Sequence, residues 1–334
     1  MSSPQNETPT LTISGLQTQF TTPQGPLTAV DGIDLTVPRG SIVGLVGESG
    51  CGKSVTALSV LGLVPAGGQV TAGEIRFQGR DLRILPEKAL RKLRGDRLAM
   101  IFQDPMTSLN PVYPVGRQVA EVLRLHRGMD RKTAKAKTID LFQQVGIPDP
   151  AARYDAYPRQ LSGGLRQRVM IAMAMACEPE LLLADEPTTA LDVTIQAQIL
   201  SLMGDLRREH GTAILLITHN LGVVAQLCDF VYVMYAGQIV EAAETFALFR
   251  EARHPYTQGL RKAIPALEGG QETLYTIRGT VPDLRCPPPG CRFCPRCDRA
   301  EEACAQSVPP LRDVGGGHWV RCFYADSVDR KEGV

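Results

Sequence analysis

The chain has little net charge, no long apolar run and, over most of its length, little cysteine. Each shortage removes a class of function. Its 36 Lys and Arg stand against 35 Asp and Glu, leaving a formal charge of +1, and the basic residues are scattered rather than gathered into a block. Nucleic-acid binders draw their affinity from a concentrated positive surface, so no nucleic-acid partner is expected. The longest apolar stretch, Val169 to Cys177, is about half of the 18 to 20 residues a membrane-spanning helix needs. Met1 to Thr10 is polar and lacks the apolar centre of a signal peptide. These features lead to the expectation of a soluble, intracellular protein. At 334 residues two domains are expected, one large enough for a substantial core. Cys51, Cys177 and Cys228 are the only cysteines before Cys286, whereas six fall between Cys286 and Cys322. In a reducing compartment such a cluster points to metal rather than disulfides, and it marks the second domain.

What is present centres on Gly47 to Ser54, G-E-S-G-C-G-K-S, behind the short apolar strand Ser41 to Val46. This is a complete glycine-rich phosphate loop in its strand-to-helix context. Gly47, Gly50 and Gly52 let the backbone curl so that the amides of Glu48, Ser49 and Cys51 can point at a triphosphate, and the helix from Lys53 to about Gly62 adds its positive end. Lys53 is expected on the β- and γ-phosphates and Ser54 on Mg²⁺, a hard cation that prefers oxygen.

Upstream, Leu11 to Phe20 reads as an edge strand, Thr22 to Pro26 as a turn and Ile33 to Val37 as a second strand. Phe20 is a candidate to stack on the base, against its ordinary role as a core aromatic. Downstream, the strand Leu98 to Phe102 ends in Gln103-Asp104-Pro105, and helices are expected over Val115 to Leu125 and Lys132 to Val145. At that strand end Gln103 could reach Mg²⁺ or its water from a movable loop.

Leu161 to Arg168, L-S-G-G-L-R-Q-R, opens a second helix start suited to phosphate. Ser162 is a natural N-cap, and Gly163 and Gly164 leave the backbone donors uncovered. Leu181 to Glu186, L-L-L-A-D-E, is a buried strand ending in two acids. Neighbours on a strand face opposite ways. Asp185 is therefore expected toward Mg²⁺ and Glu186 toward the attacking water, as general base. Ala190-Leu191-Asp192 caps the helix Val193 to about Arg208, and the strand Ala213 to Ile217 delivers His219 to the same sheet edge as Glu186, where it could bond the γ-phosphate or the water.

In this order, GESGCGKS, Gln103, LSGGLRQ, LLLADE, ALD and His219 resemble the nucleotide-binding subunit of an ABC transporter over about Leu11 to Glu251. The resemblance implies an α/β fold: a phosphate-loop ABC ATPase domain with a mixed sheet core, an antiparallel β subdomain and a helical subdomain at about 104–178, plus a small Cys-rich C-terminal domain. The boundaries are 1–254 and 255–334. It also implies head-to-tail dimers in which Ser162, Gly163, Gly164 and Gln167 face the partner's ATP, with Asp192 in the D-loop. His254-Pro255-Tyr256-Thr257 and the Cys-rich end look like the dipeptide and oligopeptide importer branch. That branch implies a second homologous ATPase subunit, two transmembrane permease subunits contacted by Phe102 to Pro111, an external solute-binding protein, and a peripheral place on the cytoplasmic face of the membrane. Nickel or glutathione importers would look much the same.

The family pattern matches Cys291, Cys297, Cys304 and Cys322, spaced by five, six and seventeen residues, and implies a [4Fe-4S] cluster. Cys286 and Cys294 are additions to it, and Cys291-x₂-Cys294-x₂-Cys297 by itself imitates ferredoxin spacing. Four thiolates also suit Zn²⁺. His318 and Trp319 read as packing and loop residues. A rival reading, a soluble ABC-type ATPase of ribosome recycling or DNA repair, calls for two cassettes or a long coiled coil. The chain has one phosphate loop and no sustained heptads between Lys53 and Ser162. A redox sensor in the tail is a further reading that nothing in the sequence ties to ATP turnover.

Overall fold

A computed structural model describes residues 8–189, 191–263 and 275–326. Strands in chain order are β1 (Leu11–Thr22), β2 (Gly25–Val37), β3 (Ile42–Val46), β4 (Gly68–Phe77), β5 (Arg80–Asp81), β6 (Leu98–Ile101), β7 (Leu181–Asp185), β8 (Ala213–Thr218), β9 (Phe230–Tyr235), β10 (Gln238–Glu244), β11 (Arg312–Asp313) and β12 (Trp319–Val320). The α-helices are α1 (Lys53–Leu61), α2 (Glu87–Leu93), α3 (Pro105–Ser108), α4 (Val115–Arg127), α5 (Arg131–Gln144), α6 (Pro150–Arg153), α7 (Gly163–Met175), α8 (Val193–His210), α9 (Leu221–Leu227), α10 (Thr245–Arg250), α11 (Pro255–Lys262) and α12 (Glu302–Gln306). The chain divides into two compact units. Of the described residues, the first takes those within 8–11, 36–42 and 76–217, and the second those within 12–35, 43–75 and 218–326.

The first unit is built on parallel strands. β7 lies between β6 and β8, with Leu181 opposite both Leu98 and Ala213. Leu181 to Ala184 and Ala213 to Ile217 are fully buried, as continuous aliphatic runs in parallel strands require. α7 packs against β6, and α4 and α5 pack against each other and against α7. In α4 and α7 the apolar side is inward, through Val119 and Leu123 and through Val169 and Ile171, so the Met-rich run of α7 is core, as its composition suggests.

The second unit carries a mixed sheet. β3 and β9 are parallel, Val43 opposite Phe230, and β10 runs antiparallel to β9 with a register shift between Ile239 and Glu241. β12 adds to β10, Glu241 opposite Val320, and β11 to β12. Trp319 is thus a strand residue rather than a loop residue. His318 is buried, its Nε2 2.7 Å from Oε1 of the fully buried Glu241. A two-residue strand has no period to read, which is why β11 and β12 escape sequence reasoning.

The other sheet has the order β2-β1-β4. β1 is therefore internal, not the edge strand expected from its alternation. The cause is β4, V-T-A-G-E-I-R-F at its C-terminal end, which pairs on the far side of β1. β2 begins at Gly25, earlier than Ile33, because its connection to β1 is only Pro23-Gln24 and so brings the two strands together as a hairpin.

Candidate functional site

In the second unit, β3 runs straight into the phosphate loop. Gly47 has φ 157°, and a Cβ there would meet the Met234 carbonyl oxygen at 2.1 Å; at Gly52, φ 108°, it would meet the Ala29 oxygen at 2.3 Å. No L side chain fits either place, so the loop closes against β9 and β2 only with glycine. α1 has Gly52 as N-cap and carries neither a side-chain cap nor an acid in its first turn, which leaves its positive end available to an anion. Lys53 is buried, and its Nζ donates to the carbonyls of Gly47 at 2.7 Å and Glu48 at 2.9 Å. Cys51 is fully buried, and burial pushes its thiol up against the opposing pull of Lys53. Ser49 and Gly50 are exposed and Ser54 half-buried. Phe20, on β1, is half-buried with its ring against Gly68, whose added Cβ would lie 2.5 Å from Phe20 Cε1. His219 follows β8 and is exposed, and Asn220 after it caps α9 by accepting from the Gly222 and Val223 amides.

Around the phosphate loop stands a shell that motif reading missed. The Glu48 amide donates to Tyr256 Oη at 2.8 Å. Arg296 Nη1 donates to Glu48 Oε2 at 2.8 Å. Burial draws the Arg296 guanidinium down, and Glu48 and Tyr235 outweigh that, holding it above its ordinary value. Tyr235, Tyr256 and Phe293 form one aromatic cluster, with centroids 4.6 to 5.5 Å apart. The motif H-P-Y-T was the one local signal, but it does not say what Tyr256 touches.

In the first unit, Asp185 ends β7 and is buried. Glu186 is not a strand residue: its φ is 50°, so the alternation argument that sets the two acids on opposite faces does not apply, and a left-handed turn aims Glu186 instead. Its amide donates to the Ile217 carbonyl at 2.9 Å, and Thr189 Oγ1 donates to its Oε2 at 2.8 Å. Gln103 is exposed beyond β6, and Asp104 caps α3 through the Met106 amide at 2.8 Å. Ser162 caps α7, its Oγ accepting from the Leu165 amide at 3.3 Å. Ser162 and Gly163 are exposed and Gly164 half-buried. Gln167 stands apart from them: it is buried, and its Nε2 donates to the Pro187 carbonyl at 2.9 Å. Asp192 is exposed and caps α8 through the Ile195 amide at 3.0 Å. Ala190, first residue of the capping triplet, lies outside the described residues.

The cysteine-rich end belongs to the second unit. Cys291, Cys294, Cys297, Cys304 and Cys322 line one pocket with Phe293, His254 and Tyr324, while Cys286 is exposed and outside it. Burial pushes the Cys291 thiol up to about 11 and raises Cys294, Cys297 and Cys322. Among the described residues no three His, Cys, Asp or Glu side chains converge closely enough to hold a metal ion. The expected set of Cys291, Cys297, Cys304 and Cys322 thus shares a pocket without forming a closed four-thiol cage. By donor chemistry the pocket suits a thiophilic metal.

A phosphate loop closed by glycines, a buried strand ending at Asp185 with Glu186 in the turn behind it, and a capped L-S-G-G helix define a phosphate-loop ATPase of the ABC type. The ABC transporter family matches residues 30–189, and the oligopeptide/dipeptide transporter C-terminal region matches residues 240–304. The chain is 49% identical over 314 residues to the dipeptide transport ATP-binding protein DppD of Escherichia coli K12, covering 94% of this chain and 96% of that one. It is 50% identical over 314 residues to the oligopeptide transport ATP-binding protein AppD of Bacillus subtilis, with the same coverage. Its fold is similar to the dimeric post-hydrolysis ATP-binding cassette MJ0796 bound to ADP and Pi. That match has TM-score 0.65 and 25% identity, and covers 70% of this chain and 98% of that one. The chain belongs to the ABC transporter ATPases, within their oligopeptide/dipeptide transporter family, and ATP with Mg²⁺ is its substrate. No described helix is long and apolar enough to cross a membrane.

Proposed function

We propose that this ATPase powers the import of di- or oligopeptides, pairing head to tail with a second homologous ATPase subunit beneath two permease subunits that receive cargo from an external solute-binding protein. It would sit peripherally on the cytoplasmic face of the membrane. The observation that carries the ATPase part is the phosphate loop, whose backbone is held by contacts that only Gly47 and Gly52 permit. The peptide part is supported by the names of the dipeptide and oligopeptide relatives; nickel or glutathione is the alternative cargo.

In this reading 1–254 is the ATPase domain, with a helical subdomain at about 104–178, and 255–334 is the C-terminal domain. Lys53 binds the β- and γ-phosphates, and Phe20 stacks on the base. Ser54, Asp185 and Gln103 supply hydroxyl, carboxylate and amide oxygens, a donor set that fits Mg²⁺. Glu186 orients or deprotonates the attacking water and His219 bonds the γ-phosphate. Ser162, Gly163 and Gly164 meet the partner's ATP. The test is single-turnover phosphate release by the assembled transporter: Glu186→Gln should bind ATP and release no phosphate, and an unchanged rate would remove Glu186 from its role.

The cysteine pocket would hold a [4Fe-4S] cluster on Cys291, Cys297, Cys304 and Cys322, with Zn²⁺ as the rival. Such a group would staple a segment poor in apolar residues. Iron and acid-labile sulfide in anaerobically purified protein test it: Cys304→Ser should abolish both and Cys294→Ser neither. Zinc in place of iron would reverse the choice of metal.

A further inference from the structure

The segment between Cys291 and Cys297 does more than present thiols. Arg296 is almost wholly covered, with 5% of its side chain exposed, and its guanidinium is engaged on every nitrogen. Nε donates to the Arg278 carbonyl at 2.8 Å and Nη2 to the Ile277 carbonyl at 3.4 Å. Nη1 donates to Glu48 Oε2 at 2.8 Å and to Tyr235 Oη at 3.4 Å. Four residues earlier, Arg292 donates to the Ala236 carbonyl and the Asp31 carboxylate. The turn it grips is itself part of the nucleotide loop's support, because the Gly237 amide donates to the Cys51 carbonyl at 2.9 Å and the Asp31 amide to the Gly237 carbonyl at 2.8 Å. Between the two arginines, Phe293 is buried against Tyr235 and Tyr256. One short stretch of the cysteine-rich region thus reaches the phosphate loop twice, at Glu48 directly and at Cys51 through the Ala236-Gly237 turn.

The charges give this arrangement a consequence for nucleotide. Glu48 is an anion within a loop that receives a polyanion, and an unpaired carboxylate there repels what the loop must bind. Pairing it with a fixed guanidinium cancels the repulsion and holds the side chain in one place, at little entropic cost because Arg296 is already ordered by its other bonds.

We propose that Arg296 is a positioning residue for ATP binding: by neutralising and anchoring Glu48 it makes the cysteine-rich segment an outer wall of the phosphate loop. The proposal rests on the reading of that loop as the ATP site. Arg292 braces the same loop indirectly, through the Ala236-Gly237 turn.

The test is titration of the full-length chain with Mg·ATP. Arg296→Gln should weaken binding about tenfold, equivalent to about 1.4 kcal/mol. Adding Glu48→Gln to it should recover most of the loss, because the stranded charge is then gone; a purely structural bolt would give additive losses instead. Arg296→Lys, which keeps the charge and loses the fork, should fall between parent and Arg296→Gln. In the assembled transporter the KM for ATP should rise by more than kcat falls. ATP affinity of Arg296→Gln within about twofold of the parent, or a double variant weaker than Arg296→Gln alone, overturns the proposal. Lys53→Ala is run beside them: if it too keeps full affinity, the assignment of the loop has failed rather than the role of Arg296. Should Arg296→Gln not fold, amide hydrogen exchange on the unaltered chain decides. Coupling is reciprocal, so Mg·ATP should slow exchange at Arg292–Cys297 as well as in the loop. Protection confined to the loop overturns the proposal.

Discussion

The hydroxyl of Tyr256 takes the backbone N–H of Glu48 at 2.8 Å, across 208 positions of chain. The ring behind that hydroxyl is fully buried, and burial pushes the phenol well above its ordinary range, so it stays a neutral acceptor at any working pH. The start of α11 and the start of the phosphate loop are therefore one hydrogen-bonded piece.

Tyr256→Phe should keep the ring cluster and lose only this bond. Stranding a largely covered amide costs about 1 to 2 kcal/mol, and ATP affinity should fall with it. Urea denaturation and ATP titration check both, and a variant equal to the parent in both measurements would show the bond to be incidental.

Ser162→Ala separates folding from assembly. The lost cap should cost about 1 kcal/mol of stability, while the isolated chain should still bind ATP, since the phosphate loop is elsewhere in sequence. In a Glu186→Gln background, ATP-driven dimerisation followed by sedimentation should be lost. Persisting dimers of normal stability would argue against the signature helix as the partner-facing element.

Gly116→Ala should damage the helical part of the first unit. A Cβ at Gly116 would sit 2.3 Å from Tyr154 Cδ2 and 2.5 Å from its carbonyl oxygen, where the Gly116 amide donates at 3.0 Å. Overpacking of this kind costs roughly 1 to 3 kcal/mol, and the shift should appear in thermal melting. An unshifted melt would mean that Tyr154 yields freely.

Stability should also fall in mild acid because of His254. Burial, reinforced by Arg321 and opposed by Glu241, pushes this imidazole down to about 4, and its Nδ1 accepts from the Tyr256 amide at 3.1 Å. The unfolded chain takes up the proton near its ordinary value of about 6.5 while the folded chain does not. The stabilisation is therefore full above about pH 6.5 and is lost as pH falls toward 4, on the order of 3 kcal/mol in all. His254→Asn, which can still cap α11, should flatten the melting temperature between pH 7.5 and 5. An equally steep profile in that variant would assign the acid sensitivity elsewhere.

What could be read beforehand was whatever local chemistry dictates. Gly47, Gly52 and Lys53 form a loop because few other residues can, and Ser162 caps α7 because its hydroxyl competes well for a free amide. Long aliphatic runs such as Leu181 to Ala184 could only be buried strands. What escaped was set by distant partners. β1 became internal when β4 paired with it, and Glu186 left the strand in a left-handed turn whose amide is held by Ile217. Glu48, Tyr256 and Arg296 are joined by no motif spacing. Nothing short of the fold brings a residue between two cysteines onto a glycine loop.

β12 is only two residues long, yet it covers β10, and Val320 is fully buried. The tail is thus a lid on a row of backbone donors and acceptors that would otherwise invite another chain. Cutting the protein before Arg312 would not trim an appendage. It would lay that row bare, and the shortened product should stick to copies of itself before it loses its affinity for nucleotide.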